Sequence, residues 1–177
     1  MVWGVYSSMT TNLPAEPVIE ERPAVPYVAV TRDVTLTTFA RIADRIPMIL
    51  QWLGARGIAP AGAPFIKYNV IDMAGTLEVE GGVPLAAPVE GEGEIFAGTL
   101  PAGRYVTYTH TGHPDELVGV TAAVLGWGKS RGLTWDMADS ERGERWACRL
   151  EVFKTHPLEV PDPNNWVTDV TMKLADA

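Results

Sequence analysis

Two stretches decide how the chain is read: "WLGARGIAP" at residues 52–60 and "WGKSRGLTW" at residues 127–135. Both spell W-x-x-x-R-G-(I/L), with Trp52 matching Trp127, Arg56 matching Arg131, Gly57 matching Gly132 and Ile58 matching Leu133, at a constant offset of 75 residues. A glycine directly after an amphipathic run marks a helix end, because the closing residue often takes a positive φ. Upstream of the first stretch, Phe39, Ile42, Ala43, Ile46, Ile49, Leu50 and Leu53 recur at helical spacing, so residues 37–57 read as helix. Pro47 either kinks that helix or lies in the first turn of a shorter one. Upstream of the second stretch, Pro114 suits a first helical position, and Leu117, Val120, Thr121, Val124 and Trp127 stay in register. Four glycines between Gly119 and Gly132 weaken this helix in isolation, so tertiary packing must hold it.

The flanking segments read as strands. In the first half they are 18–34, 63–71 and 76–85. In the second they are 93–112, in two pieces around the Pro101–Gly103 turn, then 146–156 and 166–176. "YVAVTR" from Tyr27 matches "YVTYTH" from Tyr105 at offset 78, Tyr68 matches Phe153 at 85, and "LEV" at 77 matches "TDV" at 168 at 91. Residues 134–145 and 155–165 read as longer loops. Trp135 and Trp146 bracket the acidic "DMADSERGER", which could shape a lid. The expected fold is α+β: tandem strand–helix–strand–strand modules at 17–90 and 91–177, related by a pseudo-twofold. Residues 1–16 read as an N-terminal tail, or a short extra strand using Trp3, Val5 and Tyr6.

The chain has 177 residues, 46% hydrophobic and 20% charged, which is globular composition. A net charge of −8 argues against a nucleic-acid groove, which needs clustered Lys and Arg. No apolar run approaches the length of a membrane helix, and no basic-then-apolar start marks a secretory signal. Cys148, the only cysteine, fits a reducing compartment. The expectation is a cytoplasmic protein. No cofactor is expected, because no Gly-rich phosphate loop opens a helix. His110, His113 and His156 lack the spacing of a metal site. Cys148 reads as inert packing.

The halves differ on strand 146–156. Cys148, Leu150 and Val152 point one way and should face the helices; Arg149, Glu151 and Phe153 point the other way. In the first half Ile66 holds the place of Glu151, and Tyr68 that of Phe153. A carboxylate among aromatics is costly unless paired or used. Arg149 and Glu151 could pair on a solvated face. Alternatively Glu151 attracts a cation, aided by ring faces, or acts as base or nucleophile once desolvation raises its pKa. Tyr68 and Tyr108 read equally as cleft wall or core. His110 reads as a proton donor at a cleft or as a surface histidine at a strand end. Tyr27, Tyr105, Trp52 and Trp127 repeat between halves and read as structural.

"PVIEERPAVPYVAV" (17–30), "ILQWLGARGIAPAGAPFIKYNV" (49–70), "GGVPL" (81–85), "GTLPAGRYVTYTHTG" (98–112) and "RLEVFKTHPLEVPDPNNWVTDVTMKL" (149–174) together resemble the GyrI-like small-molecule-binding family. That family is related to effector-binding domains of MerR- and AraC-type multidrug regulators. The resemblance implies antiparallel sheets forming a concave ligand cleft between two modules. It also implies that Glu151, in an E-x-(F/Y) pattern with Phe153, binds cationic lipophilic compounds, with Trp166 as an aromatic neighbour. His113 and Pro114 stand where the family often has an aromatic residue. Three functions follow from the resemblance. The first is a stand-alone binder of amphipathic or aromatic, neutral or cationic small molecules, for sensing or sequestration. The second is a hydrolase that detoxifies electrophilic, cyclopropane-type compounds with Glu151 as the catalytic group. The third is a protein-binding role like that of gyrase inhibitors. The chain leaves no room for the regulators' DNA-binding module, so no direct contact with nucleic acid is expected.

Overall fold

The computed structural model describes residues 13–176 except 36, 39 and 73. Most of the expected tail, including Trp3, Val5 and Tyr6, lies outside the described residues, as does Phe39. The elements are β1 (Val18–Arg22), β2 (Val25–Val34), α1 (Ala40–Ala43), α2 (Arg45–Ala55), β3 (Phe65–Ile71), β4 (Leu77–Pro84), β5 (Phe96–Leu100), β6 (Gly103–Thr111), α3 (Leu117–Ser130), β7 (Met137–Ser140), β8 (Gly143–Trp146), β9 (Arg149–Phe153) and β10 (Val167–Lys173).

Both W-x-x-x-R-G stretches close helices in the same way. The Ile58 N–H donates to the Leu53 carbonyl at 3.0 Å and the Gly57 N–H to that of Gly54 at 3.1 Å; Leu133 and Gly132 do the same to Gly128 and Lys129 at 3.0 and 3.1 Å. Gly57 has φ 67° and Gly132 φ 71°. This pair of bonds satisfies carbonyls that a helix end otherwise leaves bare. Arg56 lies 4.1 Å from the Trp52 ring centre and Arg131 4.9 Å from that of Trp127, a cation–π stack one helical turn long. The motif is therefore a structural device, written once per half. A turn at Asp44 divides the expected 37–57 helix, and Pro47 lies in the first turn of α2, where its missing N–H costs nothing.

The ladders are antiparallel, in the order β1-β6-β10-β9-β3-β4-β2-β5, with β8 also pairing β3 and β7 beside it. From the centre outward the order is symmetric: β9 with β3, β10 with β4, β6 with β2, β1 with β5. Ile66 lies directly opposite Glu151 in the β3–β9 ladder. The pseudo-twofold axis runs between these two equivalent residues.

The ladders also set the equivalences. Gly81 pairs with Ile66 and Val170 with Glu151. Val30 pairs with Gly81 and Tyr108 with Val170. The Tyr27–Tyr105 offset of 78 holds. The match of "LEV" to "TDV" does not: Thr168–Val170 correspond to Val79–Gly81. A two-residue slip keeps every side chain on its own face, so alternation in the sequence cannot detect it.

Three further expectations are corrected. Residues 18–34 are two strands broken at Pro23, and they part company: β1 pairs with β6 of the other half, while β5 pairs with β2. Much of 134–145 is the β7–β8 hairpin, which pairs with Val70 and Ile71 of β3. Gly143, at φ 127°, permits this approach, since a Cβ there would lie 2.3 Å from the Ile71 carbonyl oxygen. Finally, Cys148 and Leu150 cluster with Tyr27, Phe65 and Tyr105 on the face away from the helices, with Val152 packed against them. Ile42, Ile46, Ile66, Leu117, Val124 and Val170 cluster on the helix side. Arg149, Glu151 and Phe153 thus share the helix side. The helices α1 and α2 pack on β2 and β4, and α3 packs on β6. The central strands lie in the gap between them, so polarity there marks a cleft instead of solvent.

Candidate functional site

A cavity of about 500 Å³ lies between the start of α3 and the helix-side face of β3, β4, β9 and β10. Leu77, Leu117, Val118 and Val170 make its wall apolar, and Tyr68 and Phe153 add rings. Arg149 and Glu151 supply charges from β9, while Asp115 stands exposed at the rim.

The twin space in the first half is filled. At the helix offset of 75, Ile42 and Ile46 correspond to Leu117 and Thr121. In the ladders, Ile66 and Gly81 correspond to Glu151 and Val170. Gly81 lets α1 settle onto the sheet: a Cβ there would lie 3.1 Å from the Ile42 carbonyl oxygen and 3.3 Å from its Cγ1. Ile42 and Ile66 are fully buried. In the second half Val170 occupies the space that glycine vacates and keeps α3 off the sheet. Thr121 replaces a longer isoleucine. The first-half helices pack on β4, whereas α3 packs chiefly on β6, and the cavity lies in the space left between α3 and the central strands.

Glu151 is half-buried, and the Tyr68 hydroxyl donates to its Oε1 at 2.6 Å. Burial pushes the Glu151 carboxyl above its ordinary value, against the smaller pulls of the Tyr68 hydrogen bond and of Arg149. The Tyr68 hydroxyl is itself pushed well up, by burial first and by Glu151 second, so it stays a donor at neutral pH. Arg149 is 5% exposed. Its guanidinium lies 4.7 Å from the Trp146 ring centre and 5.9 Å from that of Tyr68. Burial pulls its pKa below the usual value, yet arginine remains a cation.

Of the residues singled out from sequence, Tyr68, Glu151 and Phe153 meet in this cavity. Tyr108 lies in the core on the same side, paired with Val170, and is not among the wall residues. His110 is half-buried, its Nε2 3.6 Å from Glu116 Oε1. Trp166 donates from Nε1 to the Val160 carbonyl at 2.7 Å, which fixes the loop before β10. Neither lines the cavity. His113 caps the turn into α3: its Nδ1 accepts from the Asp115 N–H at 3.1 Å, and its own N–H donates to Glu116 Oε1 at 2.8 Å. Pro114 behind this cap is a wall residue. Sequence reading missed Thr121 and Val170, and took Arg149 only as a partner for Glu151. The contrast of Thr121 with Ile46 was already visible at the offset of 75.

The site can enclose an apolar body, accept a hydrogen bond or a positive charge at Glu151, and place a protonated phenol beside that carboxyl. Among the described residues, no three His, Cys, Asp or Glu side chains gather as metal ligands. No helix of the described residues is long and apolar enough to cross a membrane.

The sequence profile of the GyrI-like small molecule binding domain matches residues 15–174. No curated protein matches the chain. Among solved structures, EcmrR in its complex with DNA is 17% identical, with a TM-score of 0.73 over 92% of this chain and 58% of that one. This chain therefore spans less than two thirds of EcmrR. The isolated EcmrR C-terminal domain is 16% identical, with a TM-score of 0.71 over 92% of this chain and 98% of that one. A hydrolase from Listeria innocua is 12% identical, with a TM-score of 0.58 over 90% and 92%. SAV2435 bound to tetraphenylphosphonium is 11% identical, with a TM-score of 0.56 over 91% and 94%. At these identities the likeness is one of fold. The profile match covers nearly the whole chain, and the paired modules around a cleft agree with it: the chain belongs to the GyrI-like small-molecule-binding domain family.

Proposed function

We propose that the cavity beside Glu151 binds an amphipathic small molecule, for sensing or sequestration. The apolar or aromatic body lies against Leu77, Leu117, Val170 and Phe153, and a polar group addresses Glu151 and Tyr68. One observation carries this reading: an apolar space of about 500 Å³ holds a desolvated carboxyl that the twin half replaces with Ile66. That volume lies within the roughly 300–1,000 Å³ of small-molecule sites. The fold shared with SAV2435 bound to tetraphenylphosphonium supports it. Titrating aromatic amphiphiles against native tryptophan fluorescence tests it, with Thr121→Trp as a filled-cavity control. Saturable quenching in the wild type that the control loses is the expected result. Equal quenching in both proteins rejects the site.

A second reading follows from the raised carboxyl. Ionised Glu151 takes a proton from water as the water oxygen bonds to a carbon of a strained electrophilic ring. The ring C–C bond breaks, its electron pair takes the Tyr68 hydroxyl proton, and Glu151 returns a proton to Tyr68 along their hydrogen bond. Consumption of a cyclopropane-bearing electrophile by wild type and by Glu151→Gln decides it. Equal rates dismiss hydrolysis.

A further inference from the structure

We propose that Thr121 sets a second polar requirement for the ligand: besides the cationic or donor group that addresses Glu151, the molecule carries a neutral hydrogen-bond acceptor for the Thr121 hydroxyl. This deepens the binding reading above and rests on it. Thr121 belongs to the helix wall of the cavity and Glu151 to the sheet wall. Thr121 is 4% exposed. A hydroxyl inside a helix ordinarily bonds back to a carbonyl of the preceding turn, as that of Ser130 does to Trp127 at 2.7 Å. The Thr121 hydroxyl makes no hydrogen bond among the described residues. Nor is it sealed in. The buried side-chain polar atoms without a hydrogen-bond partner are Trp52 Nε1, Trp127 Nε1 and His110 Nε2 among the described residues, so the Thr121 oxygen opens to the cavity that the residue lines.

The twin half has no such hydroxyl. Ile46 stands there, at the offset of 75, within the apolar core. Glu151 likewise has Ile66 as its twin. Two isoleucines of the first half are thus answered by two polar groups in the second, and both line the cavity. An unanswered hydroxyl in an apolar space costs stability, and a ligand that bonds to it removes that cost. The two groups ask for different chemistry. Ionised Glu151 only accepts, so it claims the ligand's cation or strongest donor. The Tyr68 proton is already given to Glu151. The Thr121 hydroxyl still has a proton to give, which selects an acceptor such as a carbonyl oxygen. A lipophilic cation without that acceptor still binds through Glu151 and its apolar body, only more weakly.

Calorimetric titration with matched pairs of probes tests the inference. Each pair is naphthylmethylammonium bearing either an acetyl or an isopropyl group at the same ring position, and the position is varied from pair to pair. The two groups are nearly equal in shape, and only acetyl accepts a hydrogen bond. In at least one pair the acetyl probe should bind wild type about fivefold more tightly than its isopropyl partner. Thr121→Val keeps the branched shape without the hydroxyl and should bring that pair level. Should the valine variant fold poorly, Thr121→Ala removes the same hydroxyl and should level the pair as well. Parity or an isopropyl lead in every pair with wild type overturns the inference and leaves the cavity as a binding site. So does an acetyl lead that survives in the folded variant. Saturable binding of no probe to wild type overturns the binding reading along with it.

Discussion

Replacing Thr121 by isoleucine copies onto the second half what the first half already has. Thr121 is 4% exposed and lines the cavity, and its counterpart Ile46 lies in the apolar core. Both residues are β-branched, so the helix is nearly indifferent to the exchange. The hydroxyl gives way to a methylene and a methyl, which can extend into existing empty space without displacing neighbours. At about 0.8 kcal/mol per buried carbon the gain is about 1.6 kcal/mol. For a chain of this size that raises the melting temperature by about 3–6 °C. The same two carbons take room from a ligand, and affinity for an aromatic amphiphile should fall by about tenfold or more, the equivalent of 1.4 kcal/mol. Thermal melting by circular dichroism and fluorescence titration read the two effects on one sample. A lowered melting temperature with unchanged affinity would falsify the account, because it means that position 121 is packed and the cavity lies elsewhere.

Glu151→Gln keeps an acceptor for Tyr68 and removes the titration. The folded carboxyl lies above its ordinary 4.5, so the favourable contribution of Glu151 is present below the unfolded value and is lost as pH rises through the folded one. The variant should therefore gain stability relative to wild type as pH rises above about 4.5, and a level or falling difference in melting temperature contradicts this. Gly57→Ala and Gly132→Ala each force a Cβ into a left-handed φ and should cost about 1 kcal/mol in chemical denaturation. The two costs should add in the double variant, since the helix ends are separate; a neutral result at either end refutes the shared closing motif. Two glycines inside α3 should behave oppositely. A Cβ on Gly119 meets nothing within 4 Å, whereas one on Gly128 lies 2.3 Å from Trp135 Cζ2. Gly119→Ala should stabilise by about 0.5–1 kcal/mol and Gly128→Ala destabilise by about 1–3 kcal/mol, and urea melts that rank them the other way defeat this assignment.

The duplicated helix ending was legible because its chemistry is local: Trp and Arg one turn apart, then a glycine with positive φ. Residues 27 and 105 were legible because tyrosine falls on the same face of the same strand in each half. The partners of β1 and β5 were not. Five residues such as VIEER or FAGTL are too short to say which sheet edge they join, and Pro23 hides the point where the chain leaves one sheet edge for another. The orientation of β9 failed for a related reason. Leu150 and Cys148 read as a core-facing set, and they are; but the sheet buries apolar side chains on both faces, and the polar set faces helices that stand apart. Glu151 stood out because its twin is isoleucine. Val170 did not, since its counterpart is a glycine whose role appears only when Ile42 is seen resting on it.

The crossing of β1 to β6 and of β5 to β2 makes each half depend on the other for its own completion. A chain nicked after residue 90 would yield a first piece with β2 bare along one side and β1 with nothing to pair with, and a second piece in the mirrored predicament. Neither fragment is a self-sufficient protein, but when mixed they should reassemble, each donating the strand the other lacks. The intact chain should accordingly melt in a single step, and the cavity, whose floor crosses the seam between β3 and β9, comes and goes with that one transition.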